Sequence, residues 1–243
     1  MKYLIGIDDT DNLESRGTGF RARELAQHIA REPLTLISIT RHQLFVDERI
    51  PYTAQNSSAC ILVDMPAEQL EDLTAFCRYY LERESASGSD VGLCIAPFPA
   101  VDATVQVFGQ DAKEEVLTKA AALHLAENTG VYLEELRGDG GGVIGALAAV
   151  GLRATGHDGR FIWLPGIREL EGIYTAKTLY NDTGIEKILT TSEEAVLDSA
   201  RINVGPWVRP ILKDGAATLL VVEANTDEKY DWNIAPKEVY KRY

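Results

Sequence analysis

The chain opens with Tyr3-Leu4-Ile5-Gly6-Ile7-Asp8-Asp9-Thr10-Asp11, an apolar run that passes directly into three carboxylates within four residues. The apolar part reads as a short strand. Carboxylates crowded this tightly repel one another, so the cluster is stable when a positive charge sits among them. Oxygen-only ligands favour Mg²⁺ or Mn²⁺ over zinc. Gly17-Thr18-Gly19 and a helix follow. The order of strand, acidic loop, glycines and helix suits a metal-bound nucleotide. A second reading is a polar loop that turns the chain and caps the next helix.

The 243 residues are enough for one large domain or two smaller ones. A composition of 45% hydrophobic and 25% charged residues is that of a globular protein. No apolar stretch approaches the roughly 20 residues of a membrane span, and Met1-Lys2-Tyr3 does not begin a secretion signal. Cys60, Cys77 and Cys94 form no CxxC pair, which points to reduced, buried thiols and a cytoplasmic protein. The net charge of −13 repels phosphate backbones at long range. It argues against direct nucleic-acid binding without a partner, although Arg16, Arg21 and Arg23 could form a local basic patch.

Helices are expected over 21–31, 66–81, 112–127 and 143–150, with another beginning at Ser192-Glu193-Glu194. Strands are expected over 34–40, 57–63, 91–95 and 161–164, and a hairpin joins 208–212 to 218–223 around Lys213-Asp214-Gly215-Ala216. Residues 143–150 contain no polar side chain, so that helix must lie at the heart of a domain. Ser85-Ala86-Ser87-Gly88-Ser89 reads as a connector. The expected division is 1–84, 90–165 and 166–243. Strands and helices interleave throughout, so the class is α+β or α/β.

Two further segments carry possible chemistry. Gly138-Asp139-Gly140-Gly141-Gly142 precedes the apolar helix. It could cradle phosphate through backbone N–H groups, or it could be a tight turn that docks the helix closely. Arg41-His42-Gln43 stands at a strand exit, with Arg49-Ile50-Pro51-Tyr52-Thr53 after it. Arg and His there could hold phosphate or carry protons, or the segment could be a solvated loop. Trp207, Tyr230 and Trp232 read as core or edge packing.

Gly6 to Asp11, Arg41 to Thr53 ending through Ile50-Pro51-Tyr52, and Gly138 to Gly151 occur in the same order as motifs of the isoleucine-tRNA agmatinylcytidine synthetase family, which the chain resembles over roughly residues 1–165. The family's stretches look like GIDDTDS, IPY and GNGRGLIGALAAIG. A vaguer similarity covers Tyr230 to Pro236. The resemblance implies a kinase-like ATP-binding domain combined with a ferredoxin-like domain. It also implies Mg²⁺ and ATP as cofactors and phosphoryl transfer to a small-molecule or nucleoside acceptor. Asp8, Asp9 and Asp11 would hold Mg²⁺, with Asp8, Asp9 and Thr18 catalytic. Thr10, Gly17, Arg41, His42, Gly138, Gly140, Gly141 and Gly142 would contact the nucleotide.

The chain departs from the family's pattern in several places. The reactive threonine position falls on Phe20, leaving Thr18 as the nearby hydroxyl, and Gly141 replaces a central arginine. No cysteine set for a zinc ribbon is present, and little sequence is left for an OB-fold. Alternatives are a tRNA-modifying enzyme acting with a partner and a non-catalytic nucleotide or small-ligand binding protein.

Overall fold

The computed structural model describes residues 1–53, 55–225 and 229–240. They form two units, Met1–Thr155 and Gly156–Tyr243. The first contains β1 (Lys2–Asp8), α1 (Thr18–Ile29), β2 (Thr35–Gln43), β3 (Ser57–Asp64), α2 (Leu70–Glu84), β4 (Gly92–Pro97), α3 (Ala103–Asp111), α4 (Lys119–Thr129), β5 (Tyr132–Glu135) and α5 (Val143–Thr155). Its strand order is β5-β4-β1-β3-β2, and each neighbouring pair is antiparallel. The stretch from β1 to β4 follows the βαββαβ order of ferredoxin-like units. That arrangement spans both sides of the Ser85–Ser89 connector. Asn12 Nδ2 donates to Ser87 O and the Ala86 amide donates to Thr10 O, which pins the connector to the acidic loop.

Strand alternation explains how the sheet is covered. Leu4, Cys60, Leu62, Cys94 and Ala96 face one side and pack with α5, α3 and Val101. Tyr3, Ile5 and Ile7 alternate with them and are also fully or nearly fully buried. The expected apolar helix is α5, whose residues from Ala146 to Leu152 are all buried. Close approach is possible because glycines stand where a side chain would collide. A Cβ on Gly6 would lie 2.1 Å from Ala146 O, and one on Gly151 would lie 2.1 Å from Val105 O. The sheet and α3 therefore grip α5 from two sides.

The expected helix over 112–127 is displaced. The chain forms α3 before it, a turn at 112–118, and then α4, which starts where Thr118 Oγ1 accepts from the Ala121 amide. Thr118 is an N-cap that divides the segment.

The second unit contains β6 (Arg160–Trp163), β7 (Gly172–Thr175), α6 (Ala176–Asp182), β8 (Lys187–Thr190), β9 (Arg201–Gly205), β10 (Ile211–Lys213), β11 (Ala216–Glu223), β12 (Trp232–Ile234) and α7 (Lys237–Tyr240). The strand order is β6-β10-β11-β12-β9-β7, with β8 running parallel to β11. The core includes Phe161, Leu179, Ile188, Ile202, Leu212 and Leu219. The expected hairpin is β10–β11, turning where Asp214 and Gly215 both adopt positive φ.

No helix begins at Ser192. The Glu194 amide donates to Thr190 Oγ1, the Thr190 amide donates to Glu194 O, and Glu193 has φ of 68°. The Thr190 hydroxyl gives the backbone a local alternative to helical bonding. Among the described residues, no helix is long and apolar enough to cross a membrane.

Candidate active site

The site in the first unit is set by the β1–β4 register, which places Asp8 opposite Gly92. The end of β1 and the start of β4 therefore deliver Asp8, Asp9 and Asp90 to one edge of the sheet. Asp8 follows Leu4 and Gly6 on the face that carries α5. Gly145 of α5 leaves the space that its carboxyl fills, since a Cβ there would stand 1.8 Å from Asp8 Oδ2. Asp9 turns away with φ of 50°, in the left-handed region that Asp tolerates better than most residues.

The glycine loop locks this edge. A Cβ on Gly142 would meet Asp90 O at 2.4 Å and Gly92 N at 2.7 Å. The Gly142 amide donates to Asp90 O at 2.8 Å, and the Asp139 amide donates to Asp90 Oδ1 at 2.7 Å. The Gly141 amide donates to Asp139 Oδ1. Several of the loop's amides thus hold α5 and Asp139 against the ends of β1 and β4.

These elements surround a cleft of about 410 Å³. Its acidic side carries Asp8, Asp9, Asp90, Asp139 and Glu115. Arg49 and Lys119 also line it, each with an acidic partner: Arg49 on Asp47 at 2.6 Å and Lys119 on Glu135 at 3.0 Å. Leu44, Ile50, Pro51, Val116, Leu117 and Ile144 supply an apolar wall.

Asp8 and Asp9 are electrostatically uncompensated. Asp8 is pushed up from 3.8 to about 7, chiefly because the packed protein desolvates it; the Asp9 amide partly opposes this, and the charges of Asp9 and Asp11 add to it. Burial first, then the charges of Asp90 and Asp11, raise Asp9 to about 6. Both residues keep partial solvent access. Oxygen donors that are costly to ionise alone are a chemical fit for a hard divalent cation. Among the described residues, no three acidic, histidine or cysteine side chains are already gathered as a complete ligand set.

Of the residues singled out in the sequence, Asp8, Asp9, Gly141 and Gly142 line the cleft. Asp11 faces α1 instead. Its Oδ1 accepts from the Thr18 amide at 3.0 Å and hydroxyl at 2.9 Å, and its Oδ2 accepts from Thr53 Oγ1 at 2.7 Å. Thr10 Oγ1 lies 3.3 Å from Thr18 Oγ1, and both threonines are buried. Gly17 is the exposed N-cap of α1. These residues brace the acidic loop on α1. Replacing Thr18 by Val should cost about 1 kcal/mol of stability through the lost hydrogen bonds while leaving nucleotide affinity within a factor of about two or three. Urea unfolding and nucleotide titration of the same sample check this.

Gly138 and Gly140 shape the loop behind the cleft through positive φ, at 69° and 76°. Arg41 and His42 lie outside the lining. Arg41 Nε donates to Ser57 Oγ, and the fully buried His42 places Nε2 2.8 Å from Thr40 Oγ1. Sequence reading does not single out Asp90, Glu115, Lys119 or Gly145, all of which line the cleft. Strand pairing brings Asp90 to the site, and no local motif marks it.

No protein-family profile matches the chain. It is 29% identical over 154 residues to an uncharacterized protein of Methanocaldococcus jannaschii, a match covering 62% of this chain and 50% of that protein. The chain thus spans about half the length of this curated relative. The crystal structure of TiaS in complex with tRNA and ATP superposes with a TM-score of 0.54 at 24% identity, over 62% of this chain and 36% of that one. The complex of TiaS with tRNA, AMPCPP and agmatine gives 0.54 at 23%. A tRNA fluorescent labeling enzyme gives 0.54 at 22%, over 74% of this chain and 43% of that one. Over the part that superposes, the chain has the fold of TiaS, a tRNA agmatidine synthetase.

Proposed function

We propose that the first unit binds ATP with Mg²⁺ and transfers a phosphoryl group to a small-molecule or nucleoside acceptor. The observation that carries this reading is the cleft itself, where uncompensated carboxylates meet an apolar wall and two cationic side chains. Support comes from the shared fold, since the TiaS structures include complexes with ATP and AMPCPP.

Asp8 and Asp9 would hold the cation, with Asp90 and Asp139 beside them. Bound there, Mg²⁺ would neutralise phosphate oxygens and lower the cost of charge redistribution. Gly141 lines the cleft without a side chain at the N-terminal end of α5, whose dipole favours an anion. Arg49 and Lys119 can release their acidic partners to phosphate, and the apolar wall suits a base. Phosphoryl transfer requires mainly positioning and charge neutralisation, which these groups supply.

The tRNA acceptor of TiaS is the second reading, favoured by the fold shared with its tRNA complexes. Incubation with Mg²⁺ and ATP labelled at the α- or γ-position tests the reaction. Acceptor-dependent appearance of γ-label in a product supports phosphoryl transfer. Nucleotide binding without cleavage, across small amines, nucleosides and tRNA, would replace it with a binding role.

A further inference from the structure

Trp207 is not core or edge packing: it is 62% exposed in a chain of net charge −13. It belongs to Gly205-Pro206-Trp207-Val208-Arg209-Pro210, where Val208 is buried as an anchor. Two prolines restrict the segment, so the indole is presented with little conformational freedom left to lose. The Arg209 guanidinium stands 4.0 Å from the Trp207 ring centroid. Its Nη1 donates to Tyr240 Oη at 2.9 Å.

Arg160 joins this group because β6 pairs with β10 through Arg160 and Ile211, two residues after Arg209. Both guanidinium groups lie within 6 Å of the Tyr240 ring, at 5.8 Å and 5.9 Å. Among the described residues, neither arginine has a carboxylate ion partner. Two cations at the Tyr240 ring, one of them also over an exposed indole, with no carboxylate partner among the described residues, form a site that is incomplete by charge.

We propose that Trp207, Arg209, Arg160 and Tyr240 form a binding platform for a single-stranded polynucleotide, with a base stacked on Trp207 and phosphate held by the two arginines. The combination supplies both halves of strand recognition, an aromatic face for any base and fixed positive charge for the backbone. An open indole suits a strand passing over it better than a lone nucleotide, which binds in an enclosing pocket. Burial and the neighbouring Arg209 lower the proton affinity of Arg160, a cost that a bound phosphate would relieve. This platform lies in the second unit and goes beyond the ATP reading of the first.

The test is fluorescence anisotropy of the full chain with a fluorescein-labelled oligouridylate of about 12 nucleotides. Affinity should fall with salt, and Trp207→Ala should weaken binding roughly ten- to hundredfold. Trp207→Phe should retain most of the affinity. Arg209→Gln should weaken binding and reduce the slope of log affinity against log salt by about one.

Trp207 is exposed, so its loss should leave the melting temperature and ATP titration unchanged. A failed ATP reading would show in that titration alone. Absence of binding at ~50 mM salt, or equal binding by wild type, Trp207→Ala and Arg209→Gln, would overturn the proposal. Competition by uridine monophosphate at the strand's own nucleotide concentration would overturn the assignment to a strand.

Discussion

Replacing Asp8 by Asn should stabilise the metal-free protein at pH 8 while abolishing its Mg²⁺-dependent affinity for ATP. Asp8 sits at about 7 in the folded chain against an ordinary 3.8. Between those values the folded state keeps a proton that the unfolded state has lost, so stability falls as pH rises through this window. Each such group contributes at most about 1.4 kcal/mol per pH unit. Water entering the cleft reduces this, leaving a gain for Asp8→Asn of the order of 2 kcal/mol at pH 8. The difference from wild type should vanish near pH 4, below which both carry a neutral group. Asn keeps the shape but gives up the charge, so affinity for ATP with Mg²⁺ should drop at least about a hundredfold. Urea unfolding across pH, paired with ATP titration, checks both parts. A variant less stable than wild type at pH 8 would contradict the electrostatic account.

Gly6→Ala should be among the most damaging single methyl additions in the first unit. The new Cβ would stand 2.1 Å from Ala146 O and 3.0 Å from Val150 Cγ2, inside the layer where β1 meets α5. The nearest atom is backbone, so the helix must move rather than a side chain. Overpacking of this kind costs about 1–3 kcal/mol, and more where backbone is displaced. Moving α5 off β1 also moves Gly145 away from Asp8, so ATP affinity should fall together with stability. Gly17→Ala is the control. Its Cβ would meet nothing nearer than Asp11 Oδ2 at 4.0 Å, and less than about 1 kcal/mol should be lost. Thermal unfolding separates the two: each kcal/mol shifts the midpoint by roughly 2–4 °C in a chain of this size.

Several features of the fold could be read from the sequence because their signals are local. The β1 strand ending in Asp8 and the unbroken apolar run of α5 reveal their environments by composition alone. The Asp214-Gly215 turn does so by its demand for positive φ. Asp11 could not be separated from Asp8 and Asp9 in this way. Whether a carboxylate faces the cleft or braces a helix depends on which partner arrives, and Thr53 arrives from 42 residues away.

Asp90 needed the β1–β4 register, and Lys119 needed the division of the expected 112–127 helix at Thr118. Arg41 and His42 looked cationic and well placed at a strand end, but alternation puts His42 on a buried face beside Thr40. The cationic residues at the cleft are Arg49 and Lys119. A net −13 is an average, and the Arg209 that stands over Trp207 is invisible to it.

The proposed chemistry rests on Asp8 and Asp9 making ATP binding depend on Mg²⁺. Calorimetric titration of ATP into wild-type protein at pH 7.5, with Mg²⁺ and with chelator, probes that dependence without any acceptor. The expected result is saturable binding with Mg²⁺, at least about a hundredfold weaker binding in chelator, and no Mg²⁺ effect in Asp8→Asn. Equal binding in all three would show that the carboxylates take no part in holding the nucleotide.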